Sequence, residues 1–149
     1  MTFAPPPEGE EIVANFRRLG LTLGRHPLAL LRERLAARRY VAAADLQARG
    51  DRALVRVAGL VTCRQRPGTA SGVIFLTLED ETGNANIVVF KDVASRQRRL
   101  LLGAPLLGVA GQLQVEGEGD HIVVHLVARR LFDHSEWLGQ LATRSRDFC

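Results

Sequence analysis

Residues 53–133 constrain the fold most, because they divide into five runs of β-branched and apolar residues separated by turn residues. Within most runs apolar and polar residues alternate, which is the pattern of strands with one buried face. Residues 91–102 depart from this pattern, because the apolar Val93 and Leu100 fall at helical spacing there. The predicted order of elements is therefore strand, strand, strand, helix, strand, strand.

The predicted strands cover residues 54–63, 73–79, 85–90, 106–115 and 121–131. Turns rich in Gly, Asp and Asn join the second strand to the third and the fourth to the fifth. Gly59 lies within the long first strand, where a bulge or a tight bend is expected. A long bent first strand and a helix between strands three and four are typical of a five-stranded OB-fold barrel. We therefore predict a mainly β fold, with the barrel over residues 51–133.

The segment before the barrel, residues 1–50, has helical rather than alternating spacing. A first helix is predicted after a cluster of glutamates near the start, whose charge complements the helix dipole. Pro27 suits the first turn of a second helix, whose Leu28, Leu31 and Leu35 line one face. We expect this α-helical N-terminal segment to act as a connector to the barrel.

The tail, residues 134–149, follows the last predicted strand and carries the large apolar side chains Trp137, Leu138 and Leu141. Apolar side chains of this size stabilise a fold when they leave water. The tail is therefore predicted to form a short helix that docks on the barrel.

The charge of the chain gives a weaker indication of function than its strand pattern. The net charge is +4 at pH 7, and Lys91 is the one lysine among twenty basic residues, so nineteen are arginine. Arginine suits phosphate binding because its planar fork donates several hydrogen bonds at once. A skew this complete also fits genomic codon bias, so the charge makes a nucleic-acid partner plausible without establishing it.

The cysteines and the apolar runs argue against secreted and membrane-spanning classes. Cys63 and Cys149 are too few for a disulfide framework and lack partners at metal-ligand spacing. The first residues have neither the basic start nor the apolar core of a signal peptide. The longest apolar run, residues 100–110, is shorter than the roughly 18 residues that a membrane span needs. We expect a cytoplasmic protein without a membrane partner.

The sequence predicts no catalysis by this chain alone. The run Glu79, Asp80 and Glu81 is the one carboxylate cluster that could hold a metal, but its position at a strand end favours turn chemistry. The four histidines are scattered and have no cysteine partner. A Gly-rich phosphate loop and a nucleophile motif are both lacking. We expect neither a metal nor any other cofactor.

The outer face of predicted strands two and three has residues suited to nucleic acid. OB barrels hold single strands across these two strands, using aromatic stacking and a basic margin. Alternation places Phe75 and Thr77 on the outer face of strand two and Asn86 on that of strand three. Basic residues would flank this face from the first loop and from its far edge. The predicted nucleic-acid-binding residues are Arg64, Arg66, Phe75, Thr77, Asn86 and Lys91.

Three runs of this sequence carry a family resemblance, namely residues 57–62 (VAGLVT), 64–72 (RQRPGTASG) and 75–83 (FLTLEDETG). They resemble the OB domain of bacterial C-family, DnaE-type replicative polymerases, and within that family the error-prone, damage-inducible ImuC-like branch. Residues 141–148 resemble the extreme C-terminus of that branch, and residues 19–32 resemble the helical connector before its OB domain. The resemblance covers nearly the whole chain.

The resemblance implies a parent enzyme that is a DNA-directed DNA polymerase, a nucleotidyltransferase with its catalytic carboxylates in a palm domain. The palm is not in this sequence, so the resemblance implies a C-terminal piece that is inactive alone. Cys149 departs from the basic residue expected at that position. The fold also resembles the anticodon-binding barrels of class II aminoacyl-tRNA synthetases, in which an aromatic and an amide matching Phe75 and Asn86 contact bases.

Two functions from different classes remain open. The leading hypothesis is a module that binds single-stranded DNA and guides the template of an error-prone polymerase during translesion synthesis and DNA repair. The alternative is a protein-interaction module that docks other members of a translesion assembly. The acidic loop at residues 116–120, the sparse aromatics and the apolar tail around Trp137 and Leu141 favour the alternative.

Phe75 and Phe90 could also lie under the N-terminal helices or the tail, which would leave them unable to stack on bases. The sequence leaves that point open, as it leaves open a preference for DNA or RNA. We expect the isolated chain to be a monomer whose partners are single-stranded DNA and either the remainder of the polymerase chain or translesion proteins.

Overall fold

A computed structural model of the chain describes residues 26–65 and 72–147, with side chains described as far as Leu141. In the described residues a helical segment comes first, the barrel follows it, and a helix comes last. In chain order they are helix α1 (Pro27–Ala37), strand β1 (Tyr40–Val41), a 3-10 turn (Ala43–Asp45), helix α2 (Leu46–Arg49), strands β2 (Leu54–Gln65), β3 (Ile74–Asp80) and β4 (Gly83–Val89), helices α3 (Lys91–Arg96) and α4 (Arg98–Gly103), strands β5 (Leu106–Glu116) and β6 (Val123–Asp133), and helix α5 (Ser135–Asp147).

The five long strands close into a barrel in the order β2, β3, β4, β6, β5, and β5 pairs back onto β2. Only the β4–β6 pair of this barrel is parallel, and the other four pairs are antiparallel. The predicted five-stranded OB-fold barrel is therefore confirmed. The division of the chain at residues 50 and 133 stays a prediction.

Strand β2 closes the barrel because it is long enough to serve two partners. Residues 54–60 pair with β5, and residues 60–65 pair with β3. Gly59 lies where the strand changes partner, and a Cβ there would lie 2.7 Å from the carbonyl oxygen of Glu79. The bend at this point therefore requires glycine, which has no side chain to clash with Glu79. The bulge falls later, between Val61 and Cys63, where the register with β3 shifts.

The interior of the barrel is filled by the inward residues of the five strands and by the helical segment between β4 and β5. Leu76, Leu78 and Ile87 are almost fully buried there, and Leu101 of α4 closes one end. Burying a side chain of this kind stabilises the fold by about 1.5–3 kcal/mol. The predicted inward parity of β3 and β4 is what places these residues in the core.

A second apolar cluster lies outside the barrel, where α1 and α5 cover the bend of β2 and the start of β5. Trp137, Leu138 and Leu141 are buried there against α1. Arg34 of α1 donates a 2.7 Å hydrogen bond to Oε1 of Gln140. The same cluster contains Leu28, Leu31, Leu35, Tyr40, Ala58, Leu60 and Leu106.

Three details differ from the sequence prediction. Strand β2 continues through Arg64 and Gln65, which were expected to lie in a loop. The helical segment at residues 91–102 is two helices broken at Gln97, because the Gln97 amide accepts from the N–H of Leu131 and donates to its carbonyl, each at 2.8 Å. The two-residue strand β1, parallel to β2, is too short to leave a sequence pattern.

Within the described residues, no helix is both long and apolar enough to cross a bilayer.

Candidate nucleic-acid interface

The outer face of β3 and β4 carries the side chains that sequence parity selects. Phe75 lies opposite Val88, and Thr77 lies opposite Asn86. Phe75 is 38% exposed, while Asn86 is exposed and Thr77 is half-buried. The structure thus brings an aromatic ring, a hydroxyl and an amide together on one open surface.

Strand pairing adds two polar residues to this face that the sequence analysis did not select. His125 of β6 lies opposite Asn86 through the parallel β4–β6 pairing, and Gln65 of β2 lies opposite Phe75. His125 is half-buried and Gln65 is exposed. Alternation along β6 alone is enough to predict that His125 points outward. Its position beside Asn86 depends on the parallel pairing of two strands that are distant in sequence.

Phe90 and Lys91 mark the end of the face at the start of α3. Phe90 is 49% exposed, so neither phenylalanine is buried under a helix. Lys91 is also exposed, and its Cγ would lie 3.2 Å from a Cβ built on Gly72. The lysine therefore runs beside the end of the segment that joins β2 to β3.

The structure does not bring Arg64 to this face. Arg64 lies opposite the core residue Leu76 in the register of β2 and β3. Its Nε donates to the carbonyl of Leu101 and its Nη2 to that of Ala104, each at 2.7 Å. These bonds hold the C-terminal end of α4 at the end of the barrel. Arg66, the other predicted loop arginine, lies outside the described residues.

The carboxylate run Glu79, Asp80 and Glu81 is engaged within the fold. Asp80 is buried. Its Oδ1 accepts hydrogen bonds from the backbone and hydroxyl of Thr82 and from the N–H of Gly83, and its Oδ2 accepts from the N–H of Ala43. This is turn chemistry, as the sequence predicted. Within residues 26–65 and 72–147 no group of three or more His, Cys, Asp or Glu is arranged to hold a metal.

The neighbouring glutamates tether α1 to the β3–β4 turn. Arg32 donates to both carboxylate oxygens of Glu81, at 2.8 and 2.6 Å, and to Asp80 at 3.3 Å. Burial raises the pKa of Glu81, but the hydrogen bonds from Arg32, a backbone hydrogen bond and the charges of Arg32 and His26 together outweigh burial, so the pKa of Glu81 is lowered. His26 Nε2 lies 3.0 Å from Oε2 of Glu79. These contacts fix the entry helix against the strand that carries Phe75.

Comparison with known families agrees with the barrel. Residues 55–131 match the family described as OB-fold nucleic acid binding domain. The match covers more than half of the chain, and the chain belongs to this family.

The chain is similar over nearly its whole length to error-prone DNA polymerases. The enzyme of Azoarcus sp. (strain BH72) is 64% identical over 148 residues, which are 99% of this chain and 14% of the relative. The enzyme of Dechloromonas aromatica (strain RCB) is 61% identical over 143 residues, which are 96% of this chain and 14% of the relative. The resemblance to the OB-fold region of error-prone polymerases is therefore confirmed, and the chain spans about 14% of the length of these relatives.

Solved structures show the same fold at low identity. Asparaginyl-tRNA synthetase from Pyrococcus horikoshii, complexed with asparaginyl-adenylate, matches 64% of this chain and 22% of its own with 22% identity and a TM-score of 0.51. An OBody bound to hen egg-white lysozyme matches 64% of this chain and 93% of its own with 12% identity and a TM-score of 0.51. These similarities concern the fold alone.

Proposed function

We propose that this chain is the module with which an error-prone DNA polymerase holds its single-stranded template during translesion synthesis. The strand lies across the outer face of β3 and β4. One observation carries the proposal, namely that Phe75 is exposed on the same face as the paired Thr77 and Asn86.

The chemistry of the face suits single-stranded nucleic acid. A base stacked on an aromatic side chain contributes about 1–3 kcal/mol, whatever its identity. Phe75 and Phe90 offer two such rings, and the Asn86 amide offers both donors and an acceptor to a base edge. Two stacking sites give weak affinity, so we expect the isolated module to bind in the micromolar range at best.

The rest of the proposal concerns the protein to which such a module belongs. Catalysis would lie in the remainder of the polymerase, and this module would guide the template in the cytoplasm toward that site. Support comes from the identity to error-prone polymerases over nearly the whole chain. The module itself contributes binding rather than bond making.

The first test is fluorescence anisotropy of the 149-residue chain with a labelled strand of about 20 nucleotides at several salt concentrations. Contact with three or four phosphates predicts a log–log slope of about −2 to −3, at roughly −0.7 for each phosphate. Phe75→Ala should weaken binding about fivefold to a hundredfold, the loss of one stacked base. Leu102→Ala removes an equally exposed apolar side chain from α4 and should leave binding unchanged.

Absence of binding at low salt would contradict the template-holding role and favour protein docking. For that alternative the structure offers less than the sequence did, because Trp137 and Leu141 are buried against α1. The two apolar side chains expected to meet a partner are already covered by this chain.

A further inference from the structure

A groove on the outer surface, separate from the Phe75 face, is surrounded by arginine. It has a volume of about 660 Å³ and runs between the end of α1, β1, the start of β2 and the middle of β5 and β6. Leu54 is one of the residues that line it and is 69% exposed. We call it the arginine groove, after its four exposed arginines, Arg39, Arg49, Arg56 and Arg129.

The described part of the chain does not neutralise the positive charge of the arginine groove. None of the described residues that line it is acidic. In the described part of the chain, no carboxylate lies within ion-pair distance of any of the four guanidinium groups. Arg129 donates to the side-chain oxygen of Gln112 at 3.2 Å, and Arg56 lies over the ring of Phe132 at 5.2 Å. Arg32, by contrast, is matched with Asp80 and Glu81.

Two backbone irregularities bring arginines to this groove. Arg39 has a φ of 66°, the left-handed region that glycine usually occupies just after a helix. On β6 the register shifts, so that Ala110 pairs with Arg130 and Gly111 with Ala128, which leaves Arg129 without a partner. The bulge exposes Arg129 and Arg130 together, although alternation would turn one of them inward.

The groove offers charge without a free aromatic surface. Tyr40, the aromatic residue of its lining, is buried. Arg56 and Arg130 lie over the nearby ring of Phe132, at 5.2 and 5.0 Å from its centroid. The described residues of the lining therefore offer no free ring on which bases could stack, whereas guanidinium groups match phosphate oxygens well.

We propose that the arginine groove binds the sugar-phosphate backbone of double-stranded DNA. Duplex DNA carries a denser row of phosphates than a single strand, so a site that offers guanidinium groups but no free aromatic ring favours the duplex. The choice of nucleic acid as the ligand rests on the proposed function. The groove is a different surface from the Phe75 face, and it would bind duplex rather than single-stranded DNA. One module would then contact a single-stranded template through Phe75 and the adjoining duplex through the groove.

The test uses the whole chain with a labelled duplex of about 20 base pairs, measured by anisotropy over a range of salt. Arg56→Gln/Arg129→Gln removes two phosphate contacts, so the log–log slope should become less steep by about 1.8, at 0.9 for each contact. Affinity at low salt should fall at least about tenfold. The control Arg98→Gln/Arg99→Gln removes the same charge from exposed positions on α4 and should change both values much less.

Arg39→Gly supplies a second, independent variant. Glycine adopts the left-handed conformation without strain, so this change should raise the melting temperature while it weakens duplex binding. A gain of stability together with a loss of binding separates a binding role from a structural one. Loss of stability, or unchanged duplex affinity, would argue against the groove.

The outcomes separate this inference from the proposed function. If Phe75→Ala weakens single-strand binding and the groove variant binds duplex like its control, the groove proposal is wrong and the template role stands. If the groove variant alone loses duplex affinity and Phe75→Ala has no effect, the Phe75 face is wrong and the groove stands. If the groove variant loses affinity for polyglutamate but not for duplex, the surface binds acidic protein and the proposal is overturned.

Discussion

The Tyr40 hydroxyl and Nε2 of His134 lie 2.7 Å apart, and this contact joins the segment before the barrel to the residue after its last strand. The His134 ring stacks on Trp137 with centroids 4.1 Å apart. The guanidinium groups of Arg34 and Arg38 also lie over the Trp137 ring, at 5.1 and 5.2 Å from its centroid. The entry and exit helices are thereby locked together on the outside of the barrel.

The same burial makes His134 a source of acid sensitivity. Burial lowers the pKa of His134, and Arg38 lowers it further, while Asp133 and Glu136 raise it by less. The unfolded chain therefore takes up the proton first as pH falls. The stability that depends on neutral His134 is present above its ordinary pKa of 6.5 and is lost as pH falls below that value.

We therefore expect the free energy of unfolding in urea to decrease between pH 7.5 and pH 5.5. His134→Gln keeps a hydrogen-bonding side chain without the titration, so its stability should change less across this range. His121→Gln, which alters an exposed histidine, serves as the control and should follow the wild type. Equal pH dependence in all three proteins would refute the assignment to His134.

The Arg32–Glu81 pair predicts a second acid-sensitive step at lower pH. The folded pKa of Glu81 is lowered from 4.5, so its contribution is present above that value and is lost as pH falls through the folded pKa. Glu81→Gln should destabilise the chain by about 1–2 kcal/mol at pH 7, because a hydrogen-bonded charge is removed. Glu33→Gln on the exposed side of α1 should cost much less in the same urea titration.

Gly59 should not tolerate a side chain. A Cβ there would lie 2.7 Å from the carbonyl oxygen of Glu79, and two backbone strands would have to separate. Gly59→Ala should destabilise the fold by about 1–3 kcal/mol. Gly103→Ala is the matched control, because a Cβ at that position has nothing within 4 Å. Similar melting temperatures for the two variants would contradict the close approach of β2 and β3.

Arg64 should act on stability rather than on binding chemistry. Arg64→Ala removes the two hydrogen bonds to the carbonyls of Leu101 and Ala104 and should cost about 1–3 kcal/mol in unfolding free energy. Arg64→Lys keeps the charge but loses the planar guanidinium that donates both hydrogen bonds, so this variant should be nearly as unstable as Arg64→Ala. If Arg64→Lys restores full stability, charge rather than geometry holds α4 in place.

Local patterns were sufficient for the barrel and for part of the site. Alternation along β3 and β4 placed Phe75, Thr77 and Asn86 on one face, because in a strand successive side chains point to opposite sides. The turn residues and the helical spacing before β5 were equally local. Each of these features depends on neighbours within a few positions, which a sequence displays directly.

Arg64 shows where that reasoning failed. A basic run followed by Pro67 and Gly68 resembles the start of a loop, yet β2 continues through Gln65 because β3 is there to pair with it. The side chain then donates to two carbonyls at the C-terminal end of α4, which lie far away in sequence. No local signal distinguishes this arginine from one that faces solvent.

The sequence by itself determined the order of the elements along the chain, the inward and outward parity of β3 and β4 and the expectation of a bend near Gly59. Only the tertiary structure decided which outward residues share a surface. The parallel pairing of β4 with β6 brings His125 to Asn86. The pairing of β1 with β2, of β2 with β5 and of β5 with β6 gathers Arg39, Arg56 and Arg129 around one groove. Parity is a property of a single strand, whereas a shared surface depends on contacts between segments that are distant along the chain.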